Sequence, residues 1–254
     1  MEISICIGFF LLGTIFGSFY NVVGSRLPKG ESIIRPASHC TICNHKLGPL
    51  ELIPILSYLI QGGRCRHCKN KISPSYLGFE LFCGALFLIS YLVFGFSYEL
   101  ILSLTFVSML DIIIVSDLEH MIIPDSVLII FGLLIVIEKC YINGVNSILP
   151  TLGSGLIAFA VMFGLKIFGD IIFKQESMGG GDIKLLGIFG LMLGWSNALI
   201  TIIVAAFIGL PISLIAVNFK KTHIVPFGPF LSLGALVVLF TRIDINYLLE
   251  FFKW

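Results

Sequence analysis

Apolar runs long enough to cross a bilayer recur along this 254-residue chain, and they constrain its fold more than any motif does. A spanning helix needs roughly 20 predominantly apolar residues. Runs that meet or approach this length lie at 4–25, 77–94, 99–116, 126–142, 147–169, 183–195, 197–217 and 226–242. The sixth is short, and its border with the seventh is indistinct. All are continuous rather than alternating, which selects helices over a barrel. Hydrophobic residues make up 57% of the chain and charged residues 12%, about half the charged share of a soluble domain. The expected fold is an all-α polytopic membrane protein with about eight transmembrane helices and a small cytoplasmic loop domain.

Charge placement orients the chain. Eight of the 16 Lys and Arg residues fall between the first two runs, from Arg26 to Lys71. Lys166, Lys174, Lys184, Lys220 and Lys221 fall on the same side, against Lys139, Arg242 and Lys253 on the other. This bias places the long loop in the cytoplasm and the N-terminus outside. The opening "MEISI" carries an acid where a signal peptide carries basic residues, so the first run reads as a retained anchor. No internal repeat is evident. Trp195 and Trp254 are expected interface anchors.

Four of the seven cysteines form two C-x2-C pairs in the basic loop, Cys40/Cys43 in "CTIC" and Cys65/Cys68 in "CRHC". Soft, anionic thiolates suit zinc, and each two-residue gap lets one knuckle supply two tetrahedral vertices. The pairs are separated by 21 residues, just past the roughly 15–20 usual for a four-cysteine site. A reducing cytoplasm disfavours persistent disulfides there. Structural zinc on Cys40, Cys43, Cys65 and Cys68 is therefore expected. His39, His45 and His67 are read as surface residues, and Cys6, Cys83 and Cys140 as small buried hydrophobes.

Six aspartates occur: Asp111, Asp117, Asp125, Asp170, Asp182 and Asp244. With the orientation above, the third run ends inward at Asp117 and the sixth begins on the same face at Asp182. Taken singly, Asp182 is explained as a helix cap and Asp117 as a solvated chain-end acid. Together they are a pair of ionisable groups at membrane depth, which is costly and points to function. Two juxtaposed carboxylates share a proton; one then activates water while the other polarises a carbonyl. Asp111 is offset from Asp117 on the helix face and need not join. Asp125 is expected to cap the fourth run, and Asp170 to be solvated.

The motifs "GSFYNVVGSRLP" (17–28), "CTIC", "ELIPILSYLIQGGRC" (51–65), "CRHC", "DLEHMIIPD" (117–125), "MGGGDIKLL" (178–186) and "PFGPFL" (226–231) occur in that order. In this combination the chain resembles the type IV prepilin peptidases (leader peptidase/N-methyltransferases), membrane aspartic proteases of the GxGD class. The resemblance implies Asp117 and Asp182 as the catalytic pair, Gly179 and Gly181 as supporting glycines of G-x-G-D, and the four cysteines as zinc ligands. Glu119 stands where the family often has Asp. Glu80 also matches a recurrent family acid, with a structural or a methyltransferase-side role.

The resemblance further implies a multi-pass protein of the bacterial cytoplasmic membrane. It divides the chain into an N-terminal transmembrane helix (1–25), a cytoplasmic four-cysteine domain associated with methyl transfer (26–76) and a transmembrane aspartic peptidase domain (77–254). The implied substrate is the short basic leader of a prepilin or pseudopilin, cut on the cytoplasmic side and presented from the lipid bilayer. The second implied activity is N-methylation of the new N-terminus with S-adenosylmethionine, for which Gly62 and Gly63 are expected neighbours. No nucleic acid partner is expected. Two other readings compete: a membrane thiol-disulfide oxidoreductase using the C-x2-C pairs, and a zinc-stabilised transporter with midplane carboxylates.

Overall fold

Because lipid cannot satisfy backbone amides, the apolar runs close their hydrogen bonds within helices. The computed structural model describes residues 2–220 and 226–242, and side chains for 2–214 and 226–242. Lys221, Asp244, Lys253 and Trp254 lie outside the described residues, as does the side chain of Lys220. Nine α-helices occur among the described residues: α1 (Glu2–Arg26), α2 (Leu56–Ile60), α3 (Pro74–Phe94), α4 (Tyr98–His120), α5 (Asp125–Asn143), α6 (Ile148–Phe173), α7 (Gly180–Leu193), α8 (Trp195–Lys220) and α9 (Gly228–Thr241). The only β pairings among them are two isolated bridges.

A helix occupies each expected run, but the expected eight crossings are corrected. Among the described residues, five helical segments are long and apolar enough to cross a membrane, those containing α1, α3, α4, α6 and α8. At 14 residues each, α7 and α9 reach only about 21 Å, short of a ~30 Å hydrocarbon core. The fourth run, α5, carries Asp125, Glu138 and Lys139 within its 19 residues. Run counting treats every apolar stretch as lipid-facing, whereas these three helices are short or carry charge.

The chain divides into two compact units, Met1–Leu100 and Ile101–Trp254. In the first, α1 and α3 pack antiparallel through small residues. A Cβ on Gly13 would lie 2.7 Å from the Cys83 carbonyl oxygen, and one on Gly84 2.7 Å from Cγ2 of Thr14. Such contacts let membrane helices approach at backbone distance. Ser73 caps α3 by accepting the Ser75 amide, and Pro74 occupies the first helical position, where a missing N–H costs nothing. Cys83 is fully buried in this seam, whereas Cys6 and Cys140 are only half-buried.

Between α1 and α3 the cysteine loop forms two matching knuckles. In the first, the Asn44 amide donates to Cys40 O and the Cys40 amide to His45 O, both at 2.9 Å. In the second, Lys69 donates to Cys65 O at 3.0 Å and Cys65 to Asn70 O at 2.9 Å. Asn44 (φ 55°) and Lys69 (φ 61°) take the same left-handed turn, and bridges His39–Lys46 and Arg64–Lys71 close the two knuckles alike. In sequence this local repeat shows only as Cys-x-x-Cys-x-x-Lys, at Cys40–Lys46 and Cys65–Lys71.

In the second unit α4 is the buried helix, with Phe106, Met109, Leu110 and Ile113 wholly inside. Its Phe106 meets Phe189 of α7 edge-on at 5.5 Å, and its Thr105 hydroxyl donates to Glu138 of α5 at 2.7 Å. Helices α6 and α7 close to backbone contact at Gly155 and Gly190; a Cβ on Gly190 would stand 2.5 Å from Ser154 O. Helices α8 and α9 do the same at Gly234, 2.7 Å from Thr201 O.

Candidate functional site

The last turn of α4 and the first turn of α7 meet at one pocket of about 480 Å³ in the second unit. Asp117 and Asp182 both line it, with Met121–Pro124, Asp125, Gly179–Gly181 and Lys184. Both acids are buried, at 6% and 9% exposure, so neither is a solvated chain-end carboxylate. They are close enough for their charges to act on each other.

Local sequence explains how each is held. Asp117 sits at the C-terminal end of α4, where the helix macrodipole disfavours negative charge. The chain leaves α4 through Met121 (φ 54°), whose amide donates to Asp117 O at 2.9 Å. The Ser116 hydroxyl donates to Ile122 O at 2.5 Å, fixing the segment that roofs the pocket. Compensation for the Asp117 carboxylate comes from the Gly228 amide at the start of α9, which donates to it. A Cβ on Gly228 would fall 2.6 Å from Asp117 Oδ2, so a side chain there has no room.

Asp182 is the third residue of α7, and its carboxylate reaches back to accept the amide of Gly179, the N-cap. This is one arm of a capping box, not the N-cap role itself. Gly181 lets α7 approach the roof, since a Cβ there would lie 3.0 Å from Cβ of Ile123. At Gly180 a Cβ would meet nothing within 4 Å.

The remaining acids are placed elsewhere. Asp111 is buried in α4 and does not line the pocket. Glu119 points to His120 at 3.6 Å. Asp125 does not cap α5: the N-cap is Pro124, and both Asp125 oxygens accept from Lys184 Nζ at 2.7 and 2.8 Å. Asp170 accepts the Ser177 amide and hydroxyl at 2.7 and 2.8 Å, anchoring the chain that leads into the glycines. Glu80 accepts the Ile55 amide at 2.7 Å and the Ser18 hydroxyl.

In the first unit the four cysteine sulfurs lie within 4.8 Å of one another, a group that can hold a metal ion. The Cys40–Cys68 separation is 3.8 Å, the edge of a tetrahedron with bonds of about 2.3 Å. The amides of Cys43 and Ile42 bring the Cys40 thiol down to about 6, whereas desolvation and the neighbouring thiols push Cys43 up to about 11. His45 and His67 stack on each other at 5.0 Å instead of joining the sulfurs.

Residues 11–94 match the bacterial peptidase A24 N-terminal domain, and residues 104–214 the type IV leader peptidase family. The chain is 35% identical over 233 residues to the prepilin leader peptidase/N-methyltransferase of Bacillus subtilis (strain 168), covering 90% of this chain and 91% of that protein. The chain belongs to the type IV leader peptidase family. It is also similar to the protein of the same description from Klebsiella pneumoniae, at 32% identity over 78% of this chain and 89% of that one. To the Stutzerimonas stutzeri protein it is 28% identical, over 90% and 88% respectively. No solved structure matches the chain.

For a leader peptidase of this family, sequence reasoning missed one residue that lines the pocket, Lys184, and one that packs against Asp117, Gly228. Gly228 lies in "PFGPFL", a motif without an assigned role; a glycine directly before a proline at a helix start was the available signal. Lys184 follows Asp182 by two residues and was counted only as a topogenic charge. The two competing readings find no footing. The cysteines form a four-thiol cluster rather than disulfides, and the acids sit at helix ends rather than at a bundle midplane.

Proposed function

We propose that this protein cleaves the leader of prepilins or pseudopilins with Asp117 and Asp182 as the catalytic pair. The observation that carries this reading is two buried carboxylates lining one pocket, each steadied by a single glycine amide. One carboxylate takes a proton from water as its oxygen attacks the scissile carbonyl carbon. The other donates its proton to the carbonyl oxygen. Collapse of the tetrahedral intermediate breaks the C–N bond, with a proton passing to the leaving amine. Gly179–Gly181 present low-bulk backbone beside Asp182, where an extended leader can approach. The cytoplasmic membrane, a cytoplasmic pocket and an outward N-terminus follow from the charge bias.

The same reading assigns structural zinc to Cys40, Cys43, Cys65 and Cys68; four thiolates would close the metal's tetrahedron and leave it no open position. Residues 1–25 serve as an anchor helix, 26–76 as the zinc domain and 77–254 as the peptidase domain. N-methylation with S-adenosylmethionine is the second activity, resting on the description of the relatives. The group would supply the methyl. The expected cradle at Gly63 is filled by the Tyr58 hydroxyl, which a Cβ there would meet at 2.9 Å, so Gly63 is not assigned to it.

The test is mass spectrometry of the N-terminus of a co-expressed precursor. Asp117→Asn and Asp182→Asn should each stop cleavage while leaving the protein folded in the membrane. Continued processing by both variants would overturn the pair.

A further inference from the structure

The segment that follows the first knuckle is amphipathic the wrong way round for a loop in water. Leu52, Ile53, Leu56, Leu59 and Ile60 recur at helical spacing and all point outward, the last three at 55%, 60% and 74% exposure. Ser57 and Tyr58 face inward, with the Tyr58 ring laid against Gly63. Leu56, Leu59 and Ile60, at i, i+3 and i+4, share one face of the five-residue α2, and Leu52 and Ile53 add exposed apolar surface just before its opening turn. A stripe of this kind facing outward calls for an apolar partner.

Its position says which. Ile55 is the centre of a γ-turn: φ 63°, ψ −56°, with the Leu56 amide donating to Pro54 O at 2.6 Å. That conformation is rare and strained, more so for a β-branched residue. It is held by Glu80 of α3, whose carboxylate accepts the Ile55 amide at 2.7 Å and the Ser18 hydroxyl of α1. Glu80 lies about 9 Å along α3 from Pro74, and Ser18 about 12 Å back from the end of α1, at 1.5 Å per residue. With 21 residues, α3 is about 32 Å long, little more than the hydrocarbon core itself. The tether therefore draws the start of α2 down beside the terminal turns of two spanning helices. That is the depth of the headgroups, not of bulk water.

Charge agrees. The loop around the stripe holds eight Lys and Arg against Glu31 and Glu51. A basic surround about an outward apolar stripe is the arrangement of a segment lying in an anionic lipid interface.

We propose that Leu52–Ile60 lies in the membrane–water interface with Leu56, Leu59 and Ile60 in the headgroup–acyl boundary, fixed there by the Glu80–Ile55 tether. The proposal needs only that the chain is a membrane protein. It reads no activity, so it fails or holds apart from the peptidase reading.

The experiment places a single tryptophan at Leu59 (Leu59→Trp) in the full chain carrying Trp195→Phe and Trp254→Phe, reconstituted in phosphatidylcholine–phosphatidylglycerol vesicles. Lipid brominated near the headgroup end of the acyl chain should quench this tryptophan several-fold more than aqueous acrylamide does. Quenching by acrylamide but not by brominated lipid would overturn the proposal. Protection from both would overturn it in favour of a covering protein surface. A second variant, Glu80→Ala with Leu59→Trp, removes the acceptor of the Ile55 amide and should move the tryptophan towards acrylamide while the metal content of the cysteine cluster is kept. An unchanged depth would refute the tether.

Discussion

Replacing Gly228 with alanine adds one methyl group at the point where α9 meets the Asp117 carboxylate. That methyl carbon would stand 2.6 Å from Oδ2 and 3.2 Å from Cγ, where ordinary contact begins at 3.4 Å. Either the carboxylate or the start of α9 must yield by about 0.8 Å, and a displacement of about 1 Å at reacting groups can cost about 10²-fold in rate. That corresponds to about 2.7 kcal/mol of activation free energy. Gly228 does not require a positive φ, so backbone strain adds nothing, and any loss of stability should be limited to this local overpacking. Activity should therefore fall by far more than stability does. The assay is cleavage of a full-length precursor in proteoliposomes, with kcat and KM resolved and thermal unfolding measured alongside. The fall should be in kcat. Gly180→Ala is the comparison, since its methyl would meet nothing within 4 Å and should cost little. Wild-type kcat in a folded Gly228→Ala protein would refute the steric argument, as would equal losses at the two glycines.

The Lys184–Asp125 pair spans the pocket mouth with both side chains exposed, so it should contribute no more than about 1 kcal/mol. Lys184→Met should raise KM by less than tenfold, with an effect that fades in high salt, and the reversed pair Lys184→Asp/Asp125→Lys should recover part of it. Cys65 is the most buried of the four thiols, at 3% exposure. Cys65→Ser should abolish stoichiometric zinc by elemental analysis while the helix content of the chain stays intact by circular dichroism. Acidification should release the metal as well, because the ligands must be deprotonated. Gly190→Leu should destabilise by about 1–3 kcal/mol through overpacking against α6, seen as a lowered unfolding temperature; Gly164→Leu, with nothing within 4 Å, should not.

What the sequence made legible follows from which interactions are local. The cysteine pairs advertise a metal knuckle because two ligands come from each tight turn, and the structure gathers all four sulfurs. Asp117 and Asp182 could be singled out because each borders an apolar run, and the structure brings the end of α4 and the start of α7 to one pocket. Contacts made between distant turns left no such trace. Gly228 supports Asp117 from another helix, and Glu80 holds Ile55 across a loop, without periodicity or charge pattern to announce either. The assignment of Asp125 to helix capping failed for a related reason. Local propensity placed it correctly at the head of α5, but a lysine from α7 claims its oxygens.

The miscount of spanning helices and the presence of a water-using site have one physical cause. Asp182 lies in the first turn of α7, and Gly228 is the first residue of α9. Both helices have 14 residues, and each begins beside one of the two carboxylates. Had either been extended to about 20 residues of apolar helix, its start would move out to the headgroups, and the glycine amides would be spent inside the helix. A helix start leaves N-terminal amides unpaired, and those of Gly179 and Gly228 go to the two carboxylates. Non-helical backbone is tolerated at such depth only where protein or a polar cavity receives its hydrogen-bonding groups. The pocket lined by Asp117 and Asp182 is polar in this way, and under the proposed function two short helices leave room there for water and an extended leader.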